Sequence, residues 1–160
     1  MDPELSEAIE RNDMLAFKRL VQMDPKILEQ KSDVSMNTSL HMAARLGHAE
    51  LVAEIVKLRP DLVAEENNDG ETPIHEACRQ GNSKVLQLLL ENYPMAASKV
   101  NHKNQSAFLL ACREGQGDAV RIMLQQTWLM EQEEDELVLT PLHAALLGGH
   151  KGTEYMVVLS

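Results

Sequence analysis

Glycine returns every 34 residues in this chain, at Gly47, Gly81, Gly115 and Gly149. Threonine or serine keeps the same interval at Thr38, Thr72, Ser106 and Thr140, and alanine keeps it at Ala43, Ala77, Ala111 and Ala145. Three residue types locked to one period through most of 160 residues predict a repeat array. A unit this short cannot close a core by itself, so each must bury its apolar face on its neighbours. We therefore expect a stack rather than a globule.

One unit reads most clearly, from Asp69-Gly70 to Asn82. Asp-Gly supplies a tight turn with positive φ. Thr72 suits the N-cap and Pro73 the first helical position, where its missing N–H costs nothing. Ile74, Ala77 and Cys78 form one apolar face at helical spacing, and Gly81 ends the helix in a left-handed conformation. A second helix carries Val85, Leu86, Leu88, Leu89 and Leu90 until Tyr93-Pro94 stops it. The pattern recurs from Asn37-Thr38, from Ser106-Ala107 and from Thr140-Pro141. A fainter first unit aligns Leu5, Ala8, Asn12, Phe17 and Leu20 with Leu40, Ala43, Gly47, Val52 and Ile55; Asn12 replaces glycine as a tolerated left-handed residue.

Thr72-Pro73-Ile74-His75 and Thr140-Pro141-Leu142-His143 resemble the ankyrin-repeat signature, and Ala43-Ala44-Arg45-Leu46-Gly47-His48 resembles its central part. The resemblance covers about residues 5–155 and implies an all-α ankyrin-repeat solenoid of helix-turn-helix units joined by finger turns. The expected division is a single domain over residues 1–160, with repeats near 2–35, 36–69, 70–103 and 104–137 and a partial repeat at 138–160. A narrower resemblance is to plant ankyrin proteins that carry a carboxy-terminal membrane region of the PGG type and are linked to defence signalling. It rests on the Asp24-Pro25, Arg59-Pro60 and Tyr93-Pro94 junctions, on Asp61-Leu62-Val63, and on Asn104-Gln105-Ser106-Ala107-Phe108. This chain shows no such membrane region.

Hydrophobic residues make up 44% of the chain but aromatics only 3%, so the core must be aliphatic, with the nine methionines read as soft filler. A formal net charge of −10 excludes a general nucleic-acid surface, which needs clustered cations. Five acids fall in one run, Glu131, Glu133, Glu134, Asp135 and Glu136, readable as a solvated loop or as an acidic docking segment. The amino terminus lacks the basic and apolar regions of a signal peptide, and no apolar run is long enough to span a bilayer. The chain thus reads as a monomer, soluble and cytoplasmic, or at the cytoplasmic face of the plasma membrane within a longer form. Cys78 and Cys112 occupy equivalent positions about 8–10 Å apart in a helix stack, beyond disulfide reach.

His41, His75 and His143 are spaced too widely to share a zinc ion with Cys78. The resemblance implies instead that this histidine ties the helix start to its threonine and to a neighbouring turn, a tie that Leu109 would lose. Gly148-Gly149-His150-Lys151-Gly152-Thr153 has the wrong order for a phosphate loop. Neither a catalytic motif nor a cofactor or metal site is visible, so an enzyme is not expected.

What remains is a partner surface. Arg45, Arg79 and Arg113 each stand two residues before a glycine, with Arg11 close to the matching place in the first unit. On an ankyrin stack this position would face the concave groove and form a guanidinium ladder for carboxylate or phosphate groups. Two readings stand: a ladder that binds, or surface arginines paired with nearby Glu76 or Glu114. The finger residues Asn68, Asp69, Glu71, His102, Lys103 and Gln105 read as free of core duty. Leu46, Gln80 and Glu114 share the rim with the arginines. The implied function is non-catalytic protein recognition, as an adaptor or regulator in signalling; the alternative is the soluble domain of a membrane-anchored channel or sensor. Thr153 and Glu154 stand where the last helix should be apolar, which reads as an incomplete end.

Overall fold

The computed structural model describes residues 1–125. Eight α-helices run there in pairs: α1 (Pro3–Glu10) with α2 (Met14–Met23), α3 (Ser39–Leu46) with α4 (Ala49–Leu58), α5 (Pro73–Gln80) with α6 (Ser83–Asn92), and α7 (Ala107–Arg113) with α8 (Gly117–Gln125). The first helices pack in a row, α1 on α3, α3 on α5 and α5 on α7, while α4 packs on α6 and α6 on α8. The architecture is an all-α solenoid whose helix contacts run between neighbouring units. Among the described residues the extended pairing is one isolated antiparallel bridge, Val100 with Ser106. The partial fifth unit, the acidic run at 131–136 and the chain end lie outside the described residues.

Local chemistry explains each unit. Thr38, Thr72 and Ser106 hold extended backbone at the starts of α3, α5 and α7. Gly47, Gly81 and Gly115 have φ of 78°, 72° and 71°, the left-handed region that ends a helix cheaply when the residue has no Cβ. At Gly81 there is a second reason: a Cβ would lie 2.2 Å from Oε1 of Gln116 in the next unit. Asn12 does adopt a left-handed φ of 53°. The finger turns need the same conformation, supplied by Gly70 (φ 73°) and Asn104 (φ 55°), but in the second unit by Met36 at φ 56°. A Cβ-bearing, non-asparagine residue there stores about 1–2 kcal/mol of strain.

The proline junctions do more than stop helices. Each opens a 3-10 helix, Pro25–Glu29, Pro60–Ala64 and Pro94–Ser98. Their buried pairs, Ile27 with Leu28, Leu62 with Val63 and Ala96 with Ala97, join the core beneath the paired helices. The core is aliphatic as expected, around Leu5, Ile9, Leu40, Leu51, Ile55, Ile74, Leu86 and Leu89, with Phe17 its largest member. Methionine is only partly filler. Met42 and Met123 are buried, but Met23, Met36 and Met95 are exposed, at a helix end, a finger turn and a junction.

Candidate functional site: the inner helix face and finger turns

The helix starts are fixed by buried histidines. His41 Nδ1 accepts from the Thr38 N–H at 3.3 Å and lies 2.8 Å from Thr38 Oγ1. The ring hydrogen therefore sits on Nε2, which donates to the Glu71 carbonyl of the next finger at 2.8 Å. His75 repeats this with Thr72 and with the Gln105 carbonyl at 3.2 Å. Burial holds both rings neutral, pushing His41 down to about 4 and His75 below its ordinary value. Both nitrogens of each ring are engaged, so neither ring has a lone pair to offer a metal. Among the described residues no cluster of three or more His, Cys, Asp or Glu side chains could hold a metal ion. Leu109 makes no such tie, and Ser106 Oγ accepts from its N–H at 3.2 Å.

Asparagines build the finger bases, a role the sequence reading missed. Asn67 Oδ1 accepts from the Asp69 and Glu71 N–H groups at 2.9 and 3.0 Å. Asn101 Oδ1 likewise accepts from Lys103 and Gln105 at 3.0 and 2.9 Å. The two stand 34 residues apart, so the signal was present in the same period. A second missed pair anchors the ends of α3 and α5, two of the inner helices (the first helix of each pair). Asn82 Nδ2 donates back to the carbonyls of Ala44 and Arg45 at 2.8 and 3.0 Å, and Gln116 Nε2 to that of Arg79 at 3.2 Å. These bonds hold in place the turns that carry the arginines.

The three arginines are not equivalent. Arg79 Nη2 donates to Glu71 Oε1, and its Nη1 lies 3.4 Å from Glu76 Oε2. Both carboxylates are only 5% exposed. Burial alone would raise Glu71, but hydrogen bonds from Arg79 and Asn101 outweigh it and hold the carboxyl below its ordinary range. Burial does win at Glu76, which is raised despite Arg79. The hydrogen bond to Glu71 leads the causes that raise Arg79 in turn. The middle rung is thus spent inside the protein, as the pairing alternative required. Arg45 and Arg113, by contrast, are exposed and make no ion pair within 4.0 Å among the described residues. Arg11 is exposed but paired with Glu7 at 2.9 Å.

The finger residues also divide. Glu71 is not a free side chain: at the finger base it is buried between Arg79 and Asn101 Nδ2, the latter 3.1 Å away. Gln105 is half-buried and accepts from Asn101 Nδ2 through its own Oε1 at 3.2 Å. Asn68, Asp69, His102 and Lys103 are exposed at the tips. Asn68 donates from Nδ2 to the Val34 carbonyl at 2.7 Å, and the Asp69 carbonyl accepts from the His102 N–H at 2.8 Å, so successive fingers are laced together. Leu46, Gln80 and Glu114 are exposed at the ends of the inner helices. A recess of about 320 Å³ lies elsewhere, between α1 and α2. Its lining includes Arg11, already paired with Glu7, and Asp13, whose carboxylate caps α2 through the Ala16 N–H.

Among the described residues, no helix is long and apolar enough to cross a membrane. The sequence matches no curated protein. The family model for ankyrin repeats, three copies long, matches residues 5–101.

Proposed function

The chain belongs to the ankyrin-repeat family, whose arrays generally mediate protein–protein interaction, and from that premise we propose a non-catalytic recognition module that binds protein partners through its inner face and finger tips. The observation that carries this reading is how the side chains are apportioned. The described units commit most of their apolar residues to the stack, while Leu46, Gln80 and Glu114, at one equivalent position, and the finger tips stay exposed and differ from unit to unit. Arg45, Leu46, Gln80, Arg113 and Glu114 form one strip of this surface, and Asn68, Asp69, His102 and Lys103 the other. Arg79, Glu71 and Gln105 support it from within.

The role is that of an adaptor or regulator in intracellular signalling, in one monomeric array over residues 1–160 that ends in a partial fifth repeat. Plant defence is the setting favoured by the three proline junctions and by Asn104-Gln105-Ser106-Ala107-Phe108. The same residues favour, as a second reading, the cytosolic domain of a membrane-anchored relative.

Hydrogen exchange of the array with a partner captured from cell extract tests the assignment of the face. Protection should fall on the finger turns and on α3, α5 and α7. Protection confined to α4, α6 and α8 would sink it.

A further inference from the structure

Resting on the recognition reading, we propose that the inner face takes an extended acidic segment with two carboxylates spaced two repeats apart, held by Arg45 and Arg113. The three arginines are equivalent in sequence but not in counter-charge. An acidic group approaching the middle step would meet Arg79 already flanked by Glu71 and Glu76, and would be repelled by the surplus carboxylate. At the outer steps it meets an exposed guanidinium with no ion pair among the described residues. From α3 to α7 the face therefore presents a cation, a step with a carboxylate in excess, and a cation again.

Spacing sets the ligand's register. Packed helices stand about 8–10 Å apart, so the outer rungs are about 20 Å from one another. An extended chain covers that distance in about six residues. The neighbours set its direction. Leu46, 41% exposed beside Arg45, offers an apolar contact, whereas Glu114 beside Arg113 offers a carboxylate. The segment therefore carries an apolar residue next to the first acid and a basic residue next to the second. Guanidinium forks favour carboxylates in this role through paired N–H donors.

The probe is a fluorescein-labelled peptide with two aspartates six positions apart, a leucine beside the first and a lysine beside the second. Its control has the same composition with the aspartates adjacent. At low salt the spaced peptide should bind about tenfold or more tightly than the control. Arg45→Glu and Arg113→Glu should each erase that advantage, and Arg45→Gln and Arg113→Gln should reduce it should a reversal fail to fold. Glu76→Gln should narrow the difference, because it frees part of Arg79 to receive an acid at the middle step. Equal affinity for the two peptides, or a preference that survives loss of both outer arginines in a folded variant, overturns the inference. A partner footprint on α3, α5 and α7 without any peptide preference overturns the spacing and leaves the recognition reading standing. A footprint on α4, α6 and α8 removes the recognition reading, and this inference with it.

Discussion

The third and fourth units fold alike and are held differently. In the third, His75 joins Thr72 to the next finger, Glu71 and Arg79 knit the finger base to the helix end, and Gly70 supplies the finger's left-handed turn. The fourth has Leu109, Gln105 and Asn104 at those places; Asn101 still braces its finger base, but the helix start keeps only the Ser106 cap. Yet Ala107, Phe108, Ala111, Cys112, Ala119, Val120 and Met123 are all buried, as their counterparts are, and α5 packs on α7 as α3 packs on α5. Apolar burial is thus sufficient to place a unit on the stack. The polar ties add rigidity to the finger relative to the helix, and they carry most of the recognisable signature. The family match ends at residue 101, before the fourth unit's helices begin.

Acid should expose the contrast most strongly. His41 is depressed to about 4 in the folded chain against an ordinary 6.5, so the unfolded chain binds the extra proton between those values. Stability is therefore full above pH 6.5 and falls as pH drops toward 4, by roughly 3 kcal/mol from His41 alone. His75 contributes in the same direction. Urea titrations across that range should show the loss, and His41→Leu should flatten it. A profile unchanged by that substitution would mean the ring is not held neutral.

Substituting His75→Leu makes the third unit resemble the fourth. It leaves the Gln105 carbonyl without its donor and removes the bond to Thr72, a loss of about 2–3 kcal/mol. A cost below about 0.5 kcal/mol would erase the distinction between the units. The smallest effects lie in the fingers. Met36→Gly relieves left-handed strain and should stabilise by about 1 kcal/mol, whereas Asn104→Gly, starting from a residue that tolerates this region, should gain less. Thermal melts of the two variants would rank them, and the reverse order would sink the strain account.

The period made the helices, caps and terminating glycines legible, because each depends on residues within a few positions of it. Gly81 and Thr72 act on their own backbone, and Asn12 does the same by the one substitution that mimics glycine. What was hidden depends on partners far along the chain. Glu71 looked like a free finger residue, since Asn37, Glu71 and Gln105 vary at that position; its burial follows from Arg79 eight residues on and Asn101 thirty residues on. Asn82 and Gln116 read as turn residues, but their reach to the preceding helix end needs the stack to exist first. Met36 carried a signal only through the period, which sets it in register with Gly70 and Asn104; a methionine by itself marks no positive φ.

Cys78 and Cys112 stand at one equivalent position in the two units contrasted above, and both are buried free thiols. Burial raises Cys112 to about 12 and Cys78 further still, so almost no thiolate exists at neutral pH in either. Since thiolate is the reactive form, a labelling reagent can act only when the surrounding helices part. The array therefore contains its own pair of clocks, one in a tied unit and one in an untied unit, and the ratio of their rates measures what the polar ties are worth.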